Sequence, residues 1–197
     1  MIDMPELGWN ALPPDIDPAA YRRAWLGPGE AGDGVSHLTY ADAYGITDKT
    51  RCRAEDSSIH EMTVVHTLER VTDVVAFWKE LYRVCSHGAC VRVVGTYWSH
   101  VDVQADPSRL RGVSERMFAY LAPGSRTSLL ADPYEDDVGI SLLTGVDFDT
   151  TSFQHLAEPE WHGHSDDARY WAARHHHNVV RRLITTLQCH KPVRVLP

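Results

Sequence analysis

His66, in a polar turn that also holds Glu69, is a residue suited by type to move a proton. Imidazole is the side chain whose charge changes near neutrality, so a histidine near a substrate can serve as a general base. A second candidate base is His100, at the end of the run Tyr97-Trp98-Ser99-His100. The chain holds twelve histidines, and His162, His164 and the triplet His175–His177, with Asp166 and Asp167 between, raise the question of a metal. Neighbouring residues on a helix point about 100° apart, so the triplet cannot direct three rings at one ion. H-E-x-x-H and facial-triad spacings are absent as well, and no metal site is expected. Cys52 lies between Arg51 and Arg53, which favour a thiolate, yet no base is placed for it. The pairs Ser36-His37, Ser86-His87 and Ser99-His100 lack the glycines of a nucleophile elbow and read as turn and strand-end residues.

The elements that must position these groups can be read from periodicity. Ile59 to Val65 is a buried strand, and the polar turn with His66 and Glu69 follows it. From Asp73 to Ser86 the apolar residues Val74, Phe77, Trp78, Leu81, Tyr82 and Cys85 fall on one helical stripe, with Thr72 as cap and Gly88 as stop. Ala89 to Tyr97 is the next strand. A strand–helix–strand unit returns the chain to the same sheet edge, so the two strands are parallel, and ligands of such sheets bind at the strands' carboxyl ends. That end carries both His66 and His100.

Elsewhere, Asp17-Pro18 predicts a helix through Tyr21 and Trp25 that stops at Gly27-Pro28-Gly29. Val35 to Ala41 reads as a strand, Ser114 caps a short helix closed by Pro123-Gly124, and Val138 to Phe148 reads as a strand. Asp166 to Val180 reads as a helix, and Leu183 to Cys189 as a final strand because Ile and paired Thr suit a pleated surface. Trp161, Tyr170 and Trp171 are expected in the core or at an oligomer contact.

The 197 residues are expected to form a single domain, 1–197, large enough to bury roughly 70% of its unfolded surface. A formal charge of -8 argues against a general nucleic-acid surface. Four cysteines without a C-x-x-C pair, no signal-like start and no apolar run long enough to span a bilayer point to a reduced, cytoplasmic protein with no membrane partner.

From about Val35 to Tyr120 the chain resembles class I S-adenosylmethionine-dependent methyltransferases. The matching residues are Asp42-Ala43, Glu55-Asp56, His66-Thr67-Leu68-Glu69-Arg70, and then Phe77, Glu80, Arg83-Val84 and Gly88. Asp106-Pro107-Ser108 through Ser114 to Phe118 resembles a loop and helix that often close over the family's substrate side. The resemblance implies a Rossmann-like α/β fold with a mostly parallel sheet, flanking helices and antiparallel final strands. It also implies that Asp42 accepts from the adenine amine, that the Ala43 amide faces the ring, and that His66 lies near the methionine part of the cofactor. Asp15 or Asp17 would hold the ribose hydroxyls.

Family members open with a strand and an E/D-x-G-x-G loop. Near the N-terminus only Glu6-Leu7-Gly8-Trp9-Asn10 offers a glycine, Gly8, and Trp9 would fill a ligand's space. Gly27-Pro28-Gly29-Glu30-Ala31-Gly32 matches G-x-G-x-x-G as text, but after a predicted helix it is expected to be a connecting loop. Two readings follow. One is an S-adenosylmethionine-dependent methyltransferase acting on a small molecule or a modified nucleoside or sugar, with His66 or His100 as base. The other is the same fold without the cofactor, as a tailoring or nucleic-acid-modification enzyme or a binding subunit. Pairing through the last strands would make a homodimer.

Overall fold

A computed structural model describes residues 21–27, 52, 54–126, 143 and 145–195, and the backbone of 35–38 and 127–130. The strands are β1 (Arg23–Leu26), β2 (Val35–Leu38), β3 (Ile59–Val65), β4 (Cys85–Thr96), β5 (Phe148–Ala157) and β6 (Val180–Cys189). The helices are α1 (Val74–Val84), α2 (Asp102–Ala105), α3 (Glu115–Ala119), α4 (Pro123–Leu130) and α5 (Asp166–His175). One six-stranded sheet runs β2-β1-β3-β4-β6-β5. The pairs β1–β2, β1–β3 and β3–β4 are parallel, while β6 runs antiparallel to both β4 and β5. The expected Rossmann-like sheet with antiparallel final strands is what the chain forms.

The strand–helix–strand unit drives this arrangement. Asp73, rather than Thr72, caps α1 by accepting from the Ala76 amide at 2.8 Å. Phe77, Trp78, Leu81 and Val84 of that helix are buried against Met62, Val64, Val91 and Val93 of the sheet. Trp78 meets Phe118 of α3 at 6.1 Å and Phe148 at the start of β5 at 6.0 Å, so one indole joins the helix layer to the edge hairpin. Met62 pairs with Val91 in register, which fixes β3 and β4 side by side.

Several expectations need correction. The segment Arg23–Leu26 is a strand, not the end of a helix. Ala24 and Leu26 pack on one face of the sheet and Trp25 on the other, so this inner parallel strand is apolar from Ala24 onward and lacks alternation. Gly88 does not stop α1; the chain turns straight into β4 at Cys85, and Gly88 sits within β4 at φ +77° where the register with β3 shifts. Pro123 opens α4 instead of closing α3, as suits a residue without an amide hydrogen. Of the strand expected over 138–148, residues 138–142 and 144 lie outside the described residues, while β5 starts at Phe148 and continues through polar residues to Ala157 at the edge of the sheet. The last helix ends at His175, five residues early, and Asn178 at φ +59° leads into β6.

The foot of the sheet is held by charge. Arg194 donates to both oxygens of the fully buried Asp147, at 2.7 and 2.9 Å, and to both oxygens of Asp149 at 2.7 and 2.8 Å. Among the described residues no helix is long and apolar enough to cross a membrane.

β1 ends at Leu26, and Gly27 follows at φ +145°. A Cβ there would lie 2.2 Å from the Val65 carbonyl oxygen at the end of β3. Gly27→Ala is therefore expected to destabilise the fold by on the order of 1–3 kcal/mol from backbone strain alone. Urea unfolding checks this, and an unchanged midpoint would mean that the two strand ends do not meet.

Candidate active site

The chain leaves β1 toward β2 on one side, and β3 lies on the other. The sheet's direction of winding thus reverses between β1 and β3, and such a reversal opens a ligand crevice at the carboxyl ends. Gly27 and His66 are the first residues beyond those two strands. His66 adopts φ +47°, and its amide donates to the Val94 carbonyl at 2.9 Å, tying the turn to β4. The Thr67 hydroxyl reaches the carbonyls of Leu26 and Val65, at 3.2 and 3.1 Å, and so bridges the ends of β1 and β3.

Beneath the turn lies Glu69, whose side chain is fully buried. Its Oε1 accepts from the Thr96 amide at 2.8 Å and contacts His66 Nδ1 at 2.8 Å. Oε2 is buried with no hydrogen-bond partner in the described structure. Burial pushes the Glu69 carboxyl up, but the hydrogen bonds from His66 and Thr96 outweigh it and hold the group below its ordinary value. An ionised carboxylate can only accept, so Nδ1 carries a hydrogen, and in the neutral ring Nε2 keeps the lone pair. The imidazole is 14% exposed and its Nε2 has no partner among the described residues.

A long excursion after β4 closes on this turn. The Trp98 amide donates to Val113 O at 3.0 Å and the Val113 amide to Thr96 O at 2.9 Å, so residues 98–113 leave and return at one point. Arg70 donates to His66 O, Asp106 Oδ2 and Ser108 Oγ at 2.7, 2.7 and 3.0 Å, and the Leu110 amide donates to Glu69 O. Exposed Trp98, Val101 and Leu110 ride on this excursion, an apolar rim beside the crevice.

No protein-family model matches the sequence, and no curated protein matches it. Solved structures do. The [4+2]-cyclase SpnF is similar at TM-score 0.50 and 13% identity, over 87% of this chain and 76% of that one. A putative methyltransferase from Haloferax volcanii, in complex with the Trm112 activator, gives 0.49 and 10%, over 87% and 83%. YcgJ from Bacillus subtilis gives 0.48 and 12%, over 87% and 92%. At such identities the likeness is one of fold. The fold is a Rossmann-like α/β sheet.

Of the expected cofactor contacts, Gly8, Asp15, Asp17, Asp42 and Ala43 lie outside the described residues, and His66 is the one among them. The glycine text dismissed as a connecting loop does follow a strand: Gly27 stands directly after β1, at the point of reversal. Sequence reading missed it because β1 looked helical. It also missed what Glu69 does, although the i, i+3 spacing from His66 in a turn was the available signal. His100 is placed differently from His66. Its Nδ1 accepts from the Asp102 amide at 3.1 Å and its Nε2 donates to Glu158 at 2.9 Å, with only 5% of the side chain exposed. Both nitrogens are committed to holding the excursion against the chain that leaves β5. Cys52 is no nucleophile, since burial, aided by Glu80, pushes its thiol up to about 12. Among the described residues no cluster of three or more His, Cys, Asp or Glu could hold a metal.

The depressed Glu69 carboxyl carries a pH signature. Its ionised form is favoured by the fold, so its stabilisation is complete above the ordinary glutamate value of 4.5 and is lost as pH falls through the lower native value. Melting temperatures taken from about pH 7 to about pH 3 should show wild type losing its advantage over Glu69→Gln below that ordinary value. A constant gap across the series would show that Glu69 is not held as a carboxylate.

Proposed function

We propose that this protein is an S-adenosylmethionine-dependent methyltransferase acting on a small molecule or a modified nucleoside or sugar, with His66 as general base. The observation that carries this reading is the His66–Glu69 pair, one imidazole nitrogen held by a buried carboxylate and the other left free, beside a glycine turn at the sheet's reversal point. S-adenosylmethionine, when bound, supplies a methyl group already activated by its sulfonium. The residues present suit it: the buried, partnerless Glu69 Oε2 places negative character beneath the turn, opposite in sign to the sulfonium. His66 Nε2 takes a proton from the acceptor's hydroxyl or amine, and Glu69 stabilises the imidazolium that results.

A cofactor-free reading has one observation in its favour. Only residues 27–34 join the parallel strands β1 and β2, fewer than the dozen or so that a crossover with a helix takes. The neighbour at TM-score 0.50 is described as a cyclase, in keeping with the rule that one fold hosts several chemistries.

Calorimetric titration with S-adenosylmethionine separates the two. A saturable heat at one site per chain is expected, and absence of heat removes the methyltransferase reading in favour of the cofactor-free one. With a metabolite extract as acceptor source, His66→Ala should lower release of S-adenosylhomocysteine by about 10²–10⁴-fold. Undiminished release would sink the role of His66 while leaving cofactor binding intact.

A further inference from the structure

A second histidine is held as His66 is, and it faces a cleft that the reading above does not use. The cleft, about 560 Å3, lies between β5 and α5 and is lined by Phe153, His155, Tyr170 and the small residues Ala157, Ala173 and Val180, with Asp166, Asp167 and Arg169 near its mouth. That size suits a small organic ligand. Three strand spacings of about 4.8 Å separate β3 from β5, which puts the cleft roughly 14 Å from the crevice at His66.

Glu115 at the start of α3 is the anchor of this second group. It contacts His155 Nε2 in a short hydrogen bond and accepts from the Tyr97 hydroxyl at 3.3 Å. The Tyr97 and His155 rings meet edge to face at 5.6 Å, so the imidazole is fixed in plane as well as in position. Burial pushes Glu115 up, and the hydrogen bonds from His155 and Tyr97 more than reverse this, so the group is a carboxylate that can only accept. Nε2 therefore carries a hydrogen, and in the neutral ring Nδ1 is an acceptor without a partner among the described residues. His155 is 28% exposed and lines the cleft. Phe153 and Tyr170 are 41% and 54% exposed, unusual for large aromatic rings, and both line the same space. Arg169 is occupied by Asp166, and Arg174 lies over the Tyr170 ring at 5.7 Å, so neither cation offers the cleft a free charge for an anion.

We propose that this cleft is a binding site for a planar aromatic ligand bearing a hydroxyl group, its ring against Phe153 and Tyr170 and its hydroxyl donating to His155 Nδ1. Glu115 is the positioning residue, which sets the imidazole tautomer. The site stands whether or not a cofactor binds at Gly27.

The test compares 2-naphthol with naphthalene, each titrated against the protein and followed by ligand-observed NMR. Wild type should bind 2-naphthol more tightly, by the roughly five- to tenfold that one hydrogen bond supplies. His155→Phe and Glu115→Gln should bind both probes alike, because the ring wall remains and the oriented acceptor does not. Equal affinity for the two probes in wild type overturns the proposal, and so does a preference that survives in His155→Phe. Should His155→Phe fail to fold, Tyr170→Ala decides: that residue is largely exposed, and its truncation must weaken both probes by several-fold. Unchanged binding in that variant overturns the aromatic wall. Calorimetry with S-adenosylmethionine reads the other crevice, so either result can fail without the other.

Discussion

The contact on which the rest depends is the approach of two strand ends, Gly27 after β1 and the Val65 carbonyl after β3. Backbone meets backbone there with no space for a side chain. The Thr67 hydroxyl then seals the junction by reaching carbonyls from both strands. With β1 and β3 held so closely, the residue after Val65 must turn away sharply, and His66 does so in the left-handed region. That turn lifts the imidazole to the carboxyl-end surface and drops the Glu69 side chain into the interior beneath it. The geometry of the candidate base is thus a consequence of strand packing.

Three histidine–glutamate pairs lie across the carboxyl ends of the sheet: His66 with Glu69, His100 with Glu158, and His155 with Glu115. Their chemistry is alike and their surroundings divide them. His100 spends both nitrogens on protein partners and is nearly sealed, so it fastens loops. His66 and His155 each give one nitrogen to a carboxylate and retain the other. The carboxylates in those two pairs are depressed despite burial, which keeps them as acceptors and settles the tautomer of each ring. A single motif therefore yields a strut in one place and an available lone pair in two others.

How much of this could be read from the chain depended on where each element sits in the sheet. The unit from β3 through α1 to β4 was legible because its helix is two-faced and its strands are bounded by polar turns. β1 was not: buried on both faces, Ala24-Trp25-Leu26 has neither alternation nor helical spacing to declare itself, and the misreading carried Gly27 with it. β5 failed for the opposite reason, since an edge strand with exposed Thr, Ser and Gln carries too little apolar signal. His66 was visible as a candidate from its type and its position after a strand. The difference between His66 and His100 was invisible, because Glu158 comes to His100 through tertiary folding. Partners 58 residues away, such as Glu158, leave no local pattern.

The clamp of Arg194 on Asp147 and Asp149 pins the lower corner of the β5–β6 pair, far from the cleft beside α5. At its upper end the same pair is tied to its surroundings by His155 on Glu115, Glu158 on His100 and Arg181 on Asp102. A ribbon fastened at both ends has no free end to swing. A guest beside His155 would therefore be admitted by the exposed rings of Phe153 and Tyr170 turning aside, while the strands stayed still.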